Sequence, residues 1–165
     1  MKRIFLCLLG MLMLQACSTS KTTQNTSDVA VIPLGSGICD VTVTNAFYMK
    51  NAPSKIHFES SDFKLIEKTN EIPAFLGQQF GTDFIVKAEE YKKIPVDIVW
   101  TYPTPITNAE GKTYKTLKYQ ENIPTNKNFH TTYALNEDYL VVKGDWKYQM
   151  FYKGRKIYEN KFHLQ

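Results

Sequence analysis

An antiparallel, all-β domain of two packed sheets is the fold class this sequence predicts. Three observations point to it. Apolar and polar residues alternate at period two through most of the chain's second half. The alternating runs are short, rich in aromatic and β-branched residues, and separated by turns containing Gly, Pro and Asn. No long stretch carries the period of about 3.6 residues that an amphipathic helix needs. The chain has 165 residues, of which 43% are hydrophobic and 22% charged, with a formal charge of +4. That is one domain of ordinary size, and it excludes a collagen, a coiled coil, a disulfide-dense toxin and a wholly disordered chain.

The N-terminus comes first. Lys2 and Arg3 precede an almost unbroken apolar run of 11 residues, Ile4 to Leu14. A spanning helix needs about 20 residues, whereas this length suits the helical core of a signal peptide. Leu14-Gln15-Ala16-Cys17 follows. It resembles the lipobox of bacterial lipoproteins, in which a thiol at the membrane surface accepts lipid and a small residue precedes the cut. Residues 1–16 are therefore expected to be a lipoprotein signal peptide, with Cys17 the lipid-attachment residue. Each buried CH₂ of an acyl chain contributes about 0.8 kcal/mol, and two or more chains anchor stably. Ser18 is not the Asp that tends to retain Gram-negative lipoproteins in the inner membrane. The expected location is the outer membrane, facing the periplasm.

Cleavage after Ala16 would leave 149 residues and a formal charge of +2, since Lys2 and Arg3 are lost. The remaining lysines are scattered beside acids, which is not the clustered basic stripe of a nucleic-acid binder. Residues 18–28 contain no apolar side chain and cannot offset the entropy of ordering. Residues 17–35 read as lipidated terminus and flexible tether, and 36–165 as the folded domain, beginning near Gly35 to Ile38.

The strands follow. Residues 41–49 and 84–88 fit the alternating template, and 55–66 fits it with a break at Ser60-Ser61. Ile98, Trp100 and Tyr102 share one face of a strand. Phe129, Thr131, Tyr133 and Leu135 share another, as do Trp146, Tyr148, Met150 and Tyr152, then Tyr158, Phe162 and Leu164. Residues 153–155 read as a tight hairpin and 108–111 and Gly144-Asp145 as turns. Pro95, Pro103, Pro105 and Pro124 belong at strand ends or loops. Residues 67–77 are the least regular and could hold a helical turn. About seven or eight strands, all antiparallel, predict a sandwich of immunoglobulin type, with a small closed barrel as the alternative.

Of the cysteines, Cys7 lies in the signal segment and Cys17 is assigned to lipid, so Cys39 stands alone. It shares its period-two phase with Val41, Val43 and Phe47, which predicts a small buried core residue. No CxxC pair supports redox chemistry.

The C-terminal half resembles a bacterial family known as domain of unknown function 3859. The matching residues are Pro95 to Pro103, Pro105 to Asn108 and Gly111 to Tyr114. They continue with Gly144-Asp145-Trp146, Gly154-Arg155-Lys156 and Glu159 to Phe162. The resemblance covers roughly residues 80–164. It implies an immunoglobulin-like fold and an exported protein, and supplies no mechanism.

No catalytic constellation stands out. His57, His130 and His163 lack metal-ligand spacing, and each alternates with apolar neighbours onto the polar face of its strand. Ser36 in Gly35-Ser36-Gly37 lacks a nucleophile elbow and reads as a hinge into the first strand. No phosphate-binding glycine loop is present. Glu89-Glu90 and Glu137-Asp138 are sequence neighbours that a strand sends to opposite faces. Tyr48, Tyr91, Tyr114, Tyr119, Tyr139 and Tyr158 could offer aromatic surface for a protein or glycan partner. The expected function is a lipid-anchored, non-catalytic envelope module, with no cofactor, no metal and no nucleic acid, that binds a protein partner or envelope component. The alternative is an envelope hydrolase whose composite site draws on His57, His130, His163, Asp97, Glu89 or Asp145.

Overall fold

The computed structural model describes residues 28–165. The signal segment, Cys17 and most of the expected tether lie outside them. Among the described residues two sheets carry nine strands, one or two more than the seven or eight expected. The first sheet runs β2 (Ile56–Lys68), β1 (Val29–Tyr48), β4 (Gln79–Ala88), β7 (Asn128–Ala134). The second runs β3 (Glu71–Ile72), β9 (Arg155–Leu164), β8 (Gly144–Tyr152), β5 (Lys93–Thr107), β6 (Thr113–Pro124). The two-sheet sandwich is as the sequence predicts. An isolated bridge between Val86 and Thr125 is parallel. The strand ladders are antiparallel except β3 with β9, which run parallel over Glu71–His163 and Ile72–Leu164. That departs from the expected all-antiparallel arrangement, because the chain crosses from the first sheet to the second there without a hairpin.

The core follows the predicted faces. Ile98, Trp100 and Tyr102 on β5, Trp146, Tyr148 and Met150 on β8, and Phe162 and Leu164 on β9 are all buried. Phe80 of the facing sheet sits among Trp146, Trp100 and Phe162 with ring centroids 5.0–5.9 Å away. Such edge-on aromatic contacts add to the apolar area they bury. The buried hydroxyls are paired: Tyr102 with Tyr133 at 3.1 Å, and Tyr148 donating to Thr131 at 3.1 Å. The β8–β9 hairpin closes on Lys153 and Gly154, both at positive φ (51° and 74°), as a two-residue turn matching strand twist requires.

Several local expectations are corrected. Val29 to Pro33 already belong to β1, ahead of the expected boundary near Gly35, because they pair with Ala88 to Phe84 of β4. Ser36 and Gly37 are therefore inside β1 and are not a hinge ahead of it. Residues 67–77 contain the end of β2 and the short β3, and the helical turn falls at η1 (Asp138–Leu140) instead. Glu137 stands at the N-cap position of that turn without a side-chain capping bond, and Asp138 opens it. Pro95, Pro103 and Pro105 lie within β5, and the last two fall where the β5–β6 ladder skips from Thr101 to Ile106. Gly144 opens β8 at φ 117°.

The feature that positions the candidate site is the β1–β2 ribbon. Ile38 is the last β1 residue paired with β4, while pairing with β2 continues to Tyr48. The distal half of the ribbon therefore has no β4 beside it. Three register shifts interrupt it, between Ile38/Cys39, Asp40/Thr42 and Val43/Asn45. Each bulge bends the strands and increases their twist. The break expected at Ser60-Ser61 is one of these, with Asp62 at φ 53°. So coiled, the ribbon lies across the side of the sandwich where edge strands β7 and β6 meet. Its tip is tied down: Asn108 Nδ2 donates to Pro53 O at 3.1 Å, Lys55 Nζ donates to the Tyr114 hydroxyl at 2.9 Å, and Ala52 is buried.

Candidate binding groove

Beneath the ribbon lie two adjoining cavities of about 280 and 350 Å³. They share His57, Phe58, Ser60, Tyr119 and Thr132 in their walls. The first is floored by Trp100, Leu117, Tyr133 and Leu140 of the sandwich core and roofed by Val41 and Val43. The second is lined by Glu59, Glu121, Lys93, Asn122 and His130. One end of the groove is thus apolar and the other polar. Their sizes fall in the range of pockets that hold small ligands or single side chains, about 300–1,000 Å³ together.

Two histidines fasten the roof to the walls. His57 of β2 lies between the rings of Phe47 and Tyr119, with centroids at 5.0 and 4.9 Å, and its Nε2 is 4.0 Å from Glu121 Oε2. His130 of β7 meets Ser60 Oγ at 2.9 Å and packs on Phe63 at 5.4 Å. Both are half-buried, against the expectation of surface histidines. The local alternation placed them away from the core, but the ribbon supplies a second layer that covers them. Burial holds both imidazoles below their ordinary range, with Glu59 opposing this at His57 and Asp83 opposing it at His130. Burial, reinforced by Glu59, pushes the Glu121 carboxyl up. Burial thus disfavours the charged form of all three groups, and Lys93 is the ammonium in this chamber's wall.

The remaining sequence candidates are dispersed. His163 is exposed and pairs through Nδ1 with Asp145 at 2.7 Å. Asp97 accepts from Gln120 on the exposed face of β5 and β6. Glu89 is exposed in the β4–β5 turn. Only His57 and His130 of the six proposed for a composite hydrolase share a cavity. Among the described residues no group of three His, Cys, Asp or Glu could hold a metal ion. Ser60 sits mid-strand opposite Val43, not on a strand-to-helix turn, so its bond to His130 reads as a tie between ribbon and wall. Cys39 is buried as expected, and burial pushes its thiol up to about 12, which makes it inert. Its expected companions differ: Val43 and Phe47 are 55% and 42% exposed. Tyr48 and Tyr91 are exposed, Tyr119, Tyr139 and Tyr158 partly so, and Tyr114 is buried.

Sequence reasoning named Tyr119 as candidate binding surface but missed Ser60 and Glu121 as groove residues. The available signal was the polar interruption Ser60-Ser61-Asp62 in an otherwise alternating strand, which marks the bulge that turns the ribbon inward.

The sequence profile described as Domain of unknown function (DUF3859) matches residues 33–164. The chain belongs to this family. The match extends well ahead of the segment from residue 80 that carries the resemblance in the sequence, and takes in β1 from Pro33 onward and all of β2. Among solved structures, an immunoglobulin-like protein from Pseudomonas aeruginosa is similar over 83% of this chain and 96% of its own, at 20% identity and a TM-score of 0.58. At that identity the likeness shows the fold: an immunoglobulin-like sandwich. An alkylpurine DNA glycosylase from Pseudomonas fluorescens, bound to DNA containing an abasic site analogue, aligns over 84% of this chain and 30% of its own, at 13% identity and a TM-score of 0.40. No curated protein matches the sequence.

Proposed function

We propose that this family member is a lipid-anchored, non-catalytic envelope module that binds a protein partner or envelope component in the groove beneath the β1–β2 ribbon. One observation carries the reading. Of the large apolar side chains exposed on the domain, Val43, Phe47, Tyr48, Ile56 and Phe58 lie together on the ribbon's distal half, around a preformed cavity floored by Trp100. Apolar surface held open beside a concave, partly polar pocket is what a binding site requires. The lipobox at Cys17 supports anchoring, and the outer membrane facing the periplasm is the proposed location. Dispersal of the acids and of His163 favours binding over hydrolysis.

Two arms test it. The wild-type chain is expected in the membrane fraction and Cys17→Ser in the soluble periplasm; an unmodified, soluble wild type would contradict the anchor. Immobilised chain is expected to recover a discrete envelope component from extract, and Phe58→Asp, at a 39% exposed position, to lose it while staying folded. Equal recovery by both would contradict the groove.

A further inference from the structure

We propose that the groove takes an ammonium group carried on an aliphatic chain or aromatic ring, with the apolar part on the Trp100 floor and the cation between Glu121 and Glu59. This rests on the reading of the groove as the binding site and specifies what enters it. Three features set the polarity of the ligand. The apolar chamber, about 280 Å³, has no charged residue in its walls. The polar chamber carries two carboxylates, Glu59 and Glu121, against one ammonium, Lys93 at the exposed start of β5. The two chambers meet at His57, Phe58, Ser60, Tyr119 and Thr132, so a single ligand spans them.

The wall groups decide between a cation and an anion. Glu121 has its side chain 33% exposed and faces His57 Nε2 at 4.0 Å. Burial disfavours the charged imidazole, with Glu59 opposing it, and likewise raises the Glu121 carboxyl, so the chamber lacks a cation at this point that an ammonium would supply. Glu59 accepts a weak 3.3 Å bond from Asn45 Nδ2 and keeps a free oxygen. Asp83 of β4, the ladder partner of His130 on β7, lies outside the lining of both chambers but close enough to act on His130. Tyr119, between the chambers, presents a ring on which an ammonium can also rest. An anion would meet two carboxylates, half-buried Glu121 and exposed Glu59; a primary amine would supply the donors they lack.

Hexylamine and hexanoate are a matched pair of probes. Protein-observed NMR on the full chain carrying Cys17→Ser, to prevent lipidation, follows the Trp100 indole and the His57 and His130 rings. Hexylamine is expected to shift these signals saturably, with hexanoate at least about tenfold weaker. Glu121→Gln is expected to remove that preference, and Lys118→Gln, on the exposed side of β6, to preserve it. Equal binding of the two probes, no shift at the groove signals, or a preference untouched by Glu121→Gln would overturn the proposal. The wider reading fails separately. Loss of recovery in Phe58→Asp with no amine preference in the wild type would sustain the groove and sink the amine. An amine preference with recovery unaffected by Phe58→Asp would do the reverse.

Discussion

Trp100→Ala is expected to destabilise the domain by about 3–5 kcal/mol, the range for truncating a large buried aromatic. Trp100 is 1% exposed and its ring meets Tyr148, Tyr133, Phe80 and Phe162 at centroid distances of 4.8, 5.3, 5.9 and 6.1 Å. Those four rings come from four different strands in both sheets. Removing the indole leaves a void that no one of them can fill without leaving its own contacts. Against a typical total stability of about 5–15 kcal/mol, the loss would remove a large share of the margin. Chemical denaturation measures it directly: a midpoint shift equivalent to less than about 1 kcal/mol would mean that the two sheets do not pack around this residue.

Gly37→Ala is the second large effect, and it probes the root of the ribbon. At Gly37 β1 has neighbours on both sides, Gly81 of β4 and Lys68 of β2. Its φ is +148°, and an added Cβ would lie 2.0 Å from Glu67 O and 2.7 Å from Thr69 N. Both atoms are backbone, so no side chain can swing aside, and the ribbon must shift bodily. A loss of about 3 kcal/mol or more is expected, larger than that of an ordinary strained substitution. Gly77→Ala is the control. Gly77 also has positive φ (+90°), but no atom lies within 4 Å of its added Cβ. Its cost is expected near the 1 kcal/mol scale of the dihedral alone, about 1–2 kcal/mol. Equal losses at the two sites, read by thermal or urea melts, would mean that β2 does not cross β1 where the register places it.

The parts of the fold that were legible in the sequence are those in which a strand packs one face against the opposite sheet. β5, β8 and β9 alternate without interruption, so Trp100, Trp146 and Phe162 could be assigned to the core from period two alone. The Lys153-Gly154 turn carried its own conformational signature. Cys39 was also placed correctly, since it precedes most of the ribbon's distortions. The ribbon was not legible because its bulges reset the phase. Val43 and Phe47 keep the alternation of core residues yet stand 55% and 42% exposed, having no opposing strand of the sandwich to cover them. His57 and His130 look solvent-facing by the same alternation, yet each is covered by a contact far away in sequence, His57 by Tyr119 and His130 by Ser60. Period-two reasoning knows only which side of a strand a residue takes, not what lies there. The groove arises from that second quantity, and so does its polarity: nothing near Glu121 in sequence announces Glu59 across from it.

Site-specific photocrosslinking in living cells tests the central claim, that the groove under the ribbon is where the protein meets its partner. A photoreactive phenylalanine analogue would replace Phe58 at the groove mouth and, as a control, exposed Lys161 on β9. The expected result is a discrete crosslinked species from position 58 and none from position 161. The same pattern from both positions, or no adduct from position 58 in a folded and anchored chain, would contradict the account.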